Sequence, residues 1–458
     1  MRTAMLRKDD GRGSPTATVG ARTRVLLMVD YFFPPAGGAA VHRTLGLASS
    51  LPDFGWEPLV LTSRAPEHVH HDVSLLRRVP ATLRVERTPS LEPVRFVKRV
   101  LSRQGGEGSS GTRSSRGRQR RGRGARAISR VLQWMFFPDR HVGWLPFALA
   151  RGLSLAKRQQ FDAIYSTSTS VNSHLVARVL KRASGAFWVA DFQDPWAHNE
   201  ILGLPSWPHA VLAARLEHLI LRDADRVTVT TGPIAAMLQR TYPAIPASKF
   251  AVLPMGFDPE AFGDLRGVAV APTFTITHLG FFYGPRSPGP FLEALGRCVR
   301  DGLLPRDLVT VRLLGGFDAD AEALTAKLVR AYALEGVVHT EGVVAYGEGL
   351  RRLVESAVLL LVTDDGWGGR TLVPTKLYEY LAAGRPILAL APAGPTADLI
   401  EETGAGIVVH PDDTAGICDA LVRCYARWRD GVRSVAPRGI DRFTWREITR
   451  EFVRLLEA

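Results

Sequence analysis

The chain has 458 residues, 46% of them hydrophobic, which is enough for two domains that each bury a core. Its three cysteines form no Cys-x-x-Cys pair, so they are expected to be reduced core residues in a reducing compartment. No stretch reaches the roughly 18 uncharged apolar residues that span a bilayer, and the basic start has no apolar run behind it. Membrane spanning and secretion are therefore not expected.

The formal charge of +13 is concentrated in two segments. Residues 1–24 carry six bases and two acids, and residues 103–130 carry nine arginines and one acid, so the rest of the chain is nearly neutral. Both segments are rich in Gly, Ser and Arg, which predicts a disordered tail at 1–23 and a disordered insertion at 103–126. Because they lack aromatic residues for base stacking, no nucleic-acid partner is expected.

From Arg24 onward, short apolar runs alternate with helical patterns, which is typical of a parallel sheet with helices on both faces. Six strands are predicted in the first half, at 24–30, 58–62, 83–88, 163–167, 187–192 and 226–230. A second series of six follows, at 273–280, at 309–315 and in the segments VVHTEG, AVLLLVT, RPILAL and AGIVVH. Ligands of such sheets bind at the carboxyl ends of the strands.

Two successive series without sequence repetition predict the α/β fold class. An N-terminal Rossmann-like domain at 24–255 and a C-terminal one at 270–435 are expected to face a cleft. In the last segment, Phe443, Ile448 and Phe452 recur at roughly helical spacing. An amphipathic helix at 440–458 is therefore expected to pack back across the domains.

The turn after the first predicted strand places Gly37 and Gly38 directly before a helix. Backbone N–H groups in such a turn, with the positive end of the helix, suit a phosphate group or a polar sugar. The pair does not match GxGxxG, so a tight turn without a ligand is the alternative. His42 and Arg43, in the first turn of that helix, share both interpretations.

Aromatic residues follow the arginine-rich insertion, at Trp134, Phe136 and Phe137. Together with the positive charge they could bind an anionic membrane surface. The alternative is that they pack in the core.

A third polar segment, ADFQDPW, follows another predicted strand and contains Asp191 and Asp194. Acids at a strand end can bind sugar hydroxyls or act as a base. They equally suit an Asx turn that caps the loop, and the residues themselves leave this choice open.

Two segments of the second half carry positive charge. Arg286 precedes a helix expected near Pro288 and can present a planar fork to a diphosphate, although such an arginine is more often a surface residue. In VPTKLYEYLAAG, Thr375 is expected to cap a short helix with Lys376 in its first turn, where the helix dipole disfavours a cation unless an anion binds there. Glu379, one turn later, can accept both hydroxyls of a ribose; the alternative is a solvated Lys and Glu pair.

Taken in order, several segments resemble those of glycosyltransferase family 4, a retaining family of the GT-B fold. The resemblance is to its bacterial members of the cell-surface polysaccharide type. These segments cover nearly the whole folded chain: PPAGGAAVHR, DFGWEPLVLT, FFPDRHVGW, IYSTSTSVNSHLVA, ADFQDPW, VLPMGFDPEAF and KLYEYLAAGRPIL. The resemblance implies a nucleoside diphosphate sugar as donor and a glycan or lipid-linked acceptor. It implies that neither a cofactor nor a metal ion is needed. It also implies a cytoplasmic protein, which can lie at the inner face of the cell membrane.

The resemblance also implies roles for individual residues. Glu379 would bind the ribose, and Arg286 and Lys376 the diphosphate. Arg286, Lys376 and Asp194 would be the catalytic residues. The other implied contacts are Gly37, Gly38, Gly280 and Leu377 with the donor, and His42, Arg43, Asp191 and His174 with the acceptor.

Three positions depart from the family pattern. Thr371 replaces a glutamate that many members have eight positions before Glu379, Met255 replaces an asparagine, and Gln193 replaces an arginine. Two alternatives to glycosyl transfer follow from the resemblance and these departures. One is a sugar-nucleotide epimerase of the same fold, and the other is a noncatalytic relative that binds nucleotide or glycan.

Overall fold

The computed structural model describes residues 23–64, 71–91, 137–197, 199 and 206–458. Nearly all of the predicted disordered tail and the whole insertion at 103–126 lie outside these residues, as do Trp134 and Phe136. The part of the chain that is described contains two parallel sheets, of seven and six strands.

The first sheet has the strand order β3-β2-β1-β4-β5-β6-β7. Its strands are β1 (Arg24–Val29), β2 (Trp56–Ser63), β3 (Arg84–Thr88), β4 (Ala163–Thr167), β5 (Phe187–Phe192), β6 (Arg226–Val229) and β7 (Phe250–Val252). Its helices are α1 (Ala40–Ser50), α2 (Leu145–Arg158), α3 (Val171–Ser184), α4 (Trp207–Asp223) and α5 (Gly232–Thr241).

The second sheet has the order β10-β9-β8-β11-β12-β13. Its strands are β8 (Phe274–Leu279), β9 (Val309–Leu314), β10 (Val338–Glu341), β11 (Val358–Val362), β12 (Ile387–Leu390) and β13 (Gly406–Val409). The helices that follow are α6 (Gly289–Arg300), α7 (Ala319–Ala331), α8 (Tyr346–Glu355), α9 (Trp367–Thr371), α10 (Thr375–Ala383), α11 (Pro395–Thr403), α12 (Thr414–Arg429) and α13 (Trp445–Glu457).

The predicted fold class and all twelve predicted strands are confirmed. Central strands such as β11, whose sequence is VLLLV, are buried along their whole length, because helices cover both faces of a parallel sheet. Strand β7 was not predicted, since it is an edge strand of only three residues, FAV, which are half-buried or exposed. The strand order reverses between β1 and β4 and between β8 and β11, and ligands of such sheets bind at these reversals.

The last helix, α13, packs on α1 of the first domain. The Trp445 ring lies against Gly46 of α1 and against Gly256, where a Cβ atom would collide with it. Phe257 and the segment before α13 exchange backbone hydrogen bonds: Phe257 N donates to Phe443 O at 2.9 Å, and Trp445 N donates to Phe257 O at 3.0 Å. The expected helix therefore packs back onto the start of the chain.

The cysteines differ from the expectation of reduced thiols. Cys298 of α6 and Cys418 of α12 form a disulfide with Cα atoms 6.1 Å apart, while Cys424 is a buried free thiol. The pairing joins residues 120 positions apart, which sequence spacing alone does not indicate. The prediction is therefore wrong for this pair.

Among the described residues, every helix is too short or too polar to cross a bilayer.

Candidate active site

A cleft of about 730 Å³ lies between the two sheets, at the carboxyl ends of their strands. Its first wall comes from the segments after β1, β4, β5 and β6, and its second from the segments after β8, β9, β10 and β11. Seven of the predicted site residues line it: Gly38, His42, Asp194, Gly280, Arg286, Lys376 and Glu379.

Lys376 lies in the first turn of α10, whose N-cap residue is Pro374 and which has no side-chain cap. Thr375 is itself the first helical residue, so its predicted role as the cap is wrong. The half-buried ammonium group of Lys376 therefore stands at the positive end of a helix that has no side-chain cap. This arrangement suits an anion between them.

The Nζ atom of Lys376 lies 3.1 Å from Nε2 of His278. The other ring nitrogen of His278, Nδ1, lies 3.0 Å from the carbonyl oxygen of Leu360, so Nδ1 carries the proton and Nε2 accepts from Lys376. Burial and the charge of Arg286 lower the pKa of Lys376 to about 7. Gly280, with φ of +138°, lies directly beneath the ammonium group, where a Cβ atom would collide with Nζ.

Arg286 reaches the cleft from the loop before α6. Its Nη2 atom lies 3.7 Å from the Asp364 carboxylate, and its guanidinium lies 5.3 Å from the centre of the Tyr283 ring. The Nε atom of Arg286 is buried without a hydrogen-bond partner. The charge of Arg286 disfavours the charged form of Lys376, and an anion bound between the two side chains would relieve this repulsion.

Glu379 lies one turn after Lys376 and is 8% exposed. Burial raises the pKa of Glu379 to about 7, while the hydroxyl of Tyr346 and the charges of Arg78 and Lys376 favour its ionised form. The carboxylate therefore faces the cleft in a setting where added hydrogen-bond donors are stabilising.

The opposite wall begins at Gly38, which has φ of +90° and leads into α1. The N-cap residue of α1, Ala39, provides no side-chain cap. Asp194 follows β5, and its side chain opens onto the cleft. The cleft walls remove part of its hydration and raise the pKa of Asp194 to about 6, although the charge of Arg286 acts in the opposite direction. A carboxylate that titrates near neutrality thus faces two cations across the cleft.

Family models match both halves of the chain. The model for Glycosyltransferase Family 4 matches residues 94–261, and the model for Glycosyl transferases group 1 matches residues 274–427. The chain is a GT4-type glycosyltransferase. A search of curated protein sequences gives no match.

Solved structures of this fold align over almost the whole chain. Anabaena Alr3699/HepE in complex with UDP and glucose has a TM-score of 0.63 at 16% identity, covering 95% of this chain and 99% of that one. Sucrose-phosphate synthase from Thermosynechococcus elongatus has a TM-score of 0.61 at 17% identity, with 95% and 98% covered. The E. coli structure named trehalose-6-phosphate, bound with UDP-2-fluoro glucose, has a TM-score of 0.62 at 13% identity, with 95% and 99% covered. At these identities the likeness shows a shared GT-B fold.

Two residues predicted to contact the acceptor in this glycosyltransferase are buried instead. Arg43 and Asp191 are both fully buried and form a bidentate ion pair, with Nε to Oδ2 at 2.8 Å and Nη2 to Oδ1 at 2.6 Å. Arg43 also donates to the carbonyl oxygens of Leu253 and Pro254, both at 2.9 Å. Since these groups are paired within the protein, we correct their role to a structural one beneath the cleft.

Three further residues predicted to contact a substrate are buried. His174 is 1% exposed, with Nδ1 2.8 Å from the hydroxyl of Ser166 and its ring stacked on Phe192. The side chain of Leu377 is fully buried in the core, so a donor contact would have to come from its backbone, and this contact stays a prediction. Gly37 is buried and lies behind the cleft wall, whereas Gly38 lines it.

The three departures from the family pattern lie in different environments. Met255 and Gln193 line the cleft, and Gln193 donates through Nε2 to the hydroxyl of Thr167 at 2.8 Å. Thr371 does not line it: its hydroxyl bonds to the carbonyl oxygen of Trp367 at 2.6 Å. The position of the missing glutamate thus offers no side-chain group to the cleft.

Sequence reasoning missed several residues that shape the site. Asp30, fully buried at the end of β1, accepts hydrogen bonds from the hydroxyls of Thr169 and Thr44, both at 2.6 Å, and burial raises its pKa to about 7. Thr169 lines the cleft, so Asp30 positions the loop after β4. A polar residue within the apolar strand FTITHL could have indicated His278. Nothing in the sequence indicates Tyr346, because its contacts come from the other domain.

Within the described residues, Asp365, His410 and Asp412 form a group whose potential ligand atoms lie within 4.8 Å of one another. All three residues are exposed, and Asp365 pairs with Arg370 at 2.6 Å. The group does not line the cleft, so it has no part in the site.

Proposed function

We propose that the chain transfers a sugar from a nucleoside diphosphate sugar to a hydroxyl group of a glycan or lipid-linked acceptor. The transfer proceeds with retention of anomeric configuration and without a metal ion, in the synthesis of cell-surface polysaccharide. The observation that carries the proposal is the meeting of Lys376, Arg286 and Glu379 on one wall of the cleft, opposite Asp194.

The second domain offers groups for each part of the donor. Glu379 accepts hydrogen bonds from the ribose hydroxyls, and Arg286 and Lys376 bind the diphosphate. As the bond to the sugar breaks, negative charge grows on the leaving diphosphate. The two cations and the N-terminus of α10 stabilise that charge, which is the largest electrostatic contribution available in the cleft.

The acceptor lies against the first domain, near His42 and Asp194. In the front-face mechanism attributed to this family, the leaving diphosphate itself takes the proton of the acceptor hydroxyl. Asp194 then serves to orient that hydroxyl by accepting its hydrogen bond in the ionised state. No single side chain has to act as the general base.

Incubation with nucleotide sugars and candidate acceptors tests the proposal. Because related folds are solved with UDP, glucose and UDP-2-fluoro glucose, UDP-sugars are the first donors to test, after a thermal-shift screen of nucleoside diphosphates. We expect release of the nucleoside diphosphate only when an acceptor is present. NMR of the product should show the anomeric configuration of the donor sugar, and the rate should be the same with and without EDTA. Conversion of the donor without an acceptor would instead establish an epimerase.

A pH profile tests the role of Asp194. Because the ionised carboxylate is the active form, kcat/KM is expected to fall as the pH drops through about 6, the pKa of Asp194. Asp194→Asn should lower kcat/KM by about 100-fold and remove this acidic limb. Asp301→Asn, at an exposed acid after α6, is the matched control. An Asp194→Asn profile that keeps the limb would assign it to another group.

We also propose that the protein binds the surface of an anionic membrane, where a lipid-linked acceptor resides. Helix α4 exposes Trp207 by 78%, Leu212 by 46% and Val211 by 40%. Exposed apolar side chains, in a protein whose sequence also has nine arginines in residues 103–130, suit an interface with acidic headgroups. Phe137 does not contribute, since it packs against Trp196 and His209.

Flotation with phosphatidylglycerol vesicles tests this surface. The double variant Trp207→Ser and Leu212→Ser is expected to lose most of its binding, because it removes the largest apolar groups that can enter the interface. Val179→Ser, at an apolar residue of α3 that is 39% exposed, is the matched control. Loss of flotation only on deletion of residues 103–126 would place the contact in the insertion instead. If neither the double variant nor the deletion of residues 103–126 floats less than the intact protein, membrane binding through α4 or through the insertion is refuted.

A further inference from the structure

Glu217 lies in α4 and is fully buried. Its Oε2 atom accepts hydrogen bonds from two consecutive backbone N–H groups, those of Trp196 and Ala197, both at 2.9 Å. Its Oε1 atom accepts the hydroxyl of Tyr242, also at 2.9 Å. A buried carboxylate is costly unless it is hydrogen-bonded, and three donors meet that need here. One side chain of α4 thus holds two peptide groups of the loop that follows β5.

The two held peptide groups belong to the loop that brings Asp194 to the cleft. Pro195 separates Asp194 from Trp196, and its ring fixes φ at about −65°, so the chain between the anchored N–H of Trp196 and Asp194 has little freedom of rotation. On the other side of Asp194, the carbonyl oxygen of Gln193 accepts the hydroxyl of Thr230 at 3.0 Å. Asp194 therefore lies between two anchored points.

We propose that Glu217 is a positioning residue for glycosyl transfer, which holds the loop 193–197 so that Asp194 faces the acceptor hydroxyl. Glu217 does not line the cleft, whereas Asp194 and Trp196 do, so it acts through the loop and not by contact with a substrate. The inference rests on the proposed role of Asp194 in orienting the acceptor.

The geometry explains why a carboxylate is suited to this position. Two successive peptide groups that donate to one oxygen have their directions fixed together, and the charge of the carboxylate strengthens both bonds. Without this acceptor the buried N–H of Trp196 would lose its partner, and the loop would have to turn towards water. A displacement of about 1 Å at a substrate-positioning group can lower a rate by about 100-fold. The loss of Glu217 is therefore expected to be felt at Asp194.

Hydrogen exchange of the ligand-free protein, followed by mass spectrometry, tests the anchor. Glu217→Leu removes the acceptor, so the amides of Trp196 and Ala197 are expected to exchange at least tenfold faster. Glu217→Gln should exchange at the original rate, because its amide oxygen can accept both N–H groups and its NH2 group can donate to the Tyr242 hydroxyl. Unchanged exchange in Glu217→Leu would overturn the inference.

Tyr242→Phe is the matched control, since it removes a donor to the same carboxylate but leaves both bonds to the loop. Strand β11 of the second domain should exchange equally in every variant. Faster exchange there as well would indicate a general loss of structure and overturn the positioning role. If Glu217→Leu does not fold, Glu217→Asp, whose carboxylate is drawn back by one methylene group, replaces it with the same expectation.

The titration of Asp194 shows whether the carboxylate moves with the loop. Loss of hydration in the cleft raises the pKa of Asp194 to about 6, while the charge of Arg286 opposes the rise. A released loop would return Asp194 to water and withdraw it from Arg286. Because the loss of hydration is the larger influence, the pKa of Asp194 should fall below about 5 in Glu217→Leu and stay near 6 in Glu217→Gln.

NMR of protein labelled with ¹³C in its aspartate carboxyl groups measures this pKa, and the signal that is missing in Asp194→Asn identifies the residue. An unchanged pKa of Asp194 in Glu217→Leu would overturn the inference, since the carboxylate would then keep its place without the anchor.

Transfer from UDP-glucose to n-octyl β-glucoside, a defined glycolipid-like acceptor, separates this inference from the proposed function. In Glu217→Leu, kcat/KM for the acceptor should fall about 10- to 100-fold, and its acidic limb should move to lower pH together with the pKa of Asp194. If that pKa moves but the limb stays, the proposed role of Asp194 is wrong although the anchor exists. If the limb follows Asp194 in the intact protein but Glu217→Leu changes neither kcat/KM nor the limb, Glu217 is not a positioning residue.

Discussion

Replacement of Lys376 by alanine is expected to lower kcat by about 100- to 1,000-fold, the largest functional effect among the side chains of the cleft. The ammonium group lies over Gly280, beside the uncapped N-terminus of α10 and next to Arg286, so it meets the charge that develops on the leaving diphosphate. A cation there is unfavourable to the helix in the absence of an anion, so its loss should change the free energy of unfolding by less than about 0.5 kcal/mol.

Steady-state kinetics and thermal unfolding of the same preparation check both parts of this expectation. Lys327→Ala, at an exposed lysine of α7, is the matched control and should leave kcat unchanged. A kcat of Lys376→Ala within twofold of the original would remove Lys376 from the site. A large fall in thermal stability would indicate a structural role instead.

The pKa of Lys376 adds a second readout. In the ligand-free protein this lysine is charged below about pH 7 and neutral above it. A nucleoside diphosphate is already largely ionised at pH 7, so the affinity for UDP is expected to fall towards pH 9 as Lys376 loses its proton. In Lys376→Ala this fall in affinity should disappear.

Replacement of Arg43 by methionine is expected to lower the free energy of unfolding by about 3–5 kcal/mol, the largest effect on stability. The change leaves Asp191 buried without its counter-charge, and it removes the donors to the carbonyl oxygens of Leu253 and Pro254. Three hydroxyls, from Tyr165, Thr167 and Thr228, still donate to Asp191, but they do not neutralise it.

Chemical denaturation followed by fluorescence measures this loss. Arg182→Met, at an arginine whose side chain is 60% exposed and pairs with Asp223, is the matched control and should cost less than about 0.5 kcal/mol. If Arg43 contacted the acceptor instead, Arg43→Met would raise the KM for the acceptor and leave stability unchanged.

The contrast between Asp191 and Asp194 shows where sequence reasoning succeeds and fails. Both acids follow the same apolar run and look alike in the sequence. Strand β5 ends at Phe192, so Asp191 is still inside the sheet, where it meets Arg43, whereas Asp194 lies in the loop that opens onto the cleft. The predicted strand, 187–192, already ends at Phe192, so what the sequence does not show is the partner: Arg43 lies 148 positions from Asp191.

Other features could be predicted because they depend on local physics. The strands are recognisable as apolar runs, since both faces of each sheet are covered. The conflict between the charge of Lys376 and the helix dipole indicates an anion-binding residue, and Lys376 does line the cleft. The ion pair of Arg43, the Cys298–Cys418 disulfide and the contacts of Tyr346 could not be predicted, because each joins residues that are distant in sequence. The domain boundaries stay predictions.

The packing of Trp445 against Gly46 and Gly256 affects the order in which the protein is completed during synthesis. Helix α1 is synthesised before the rest of the first sheet except β1, but the helix that covers it is synthesised only after the second domain. Until then, the early domain keeps an apolar surface that is open to chaperones or to other nascent chains. The two domains are therefore consecutive along the polypeptide, yet the first one becomes complete last.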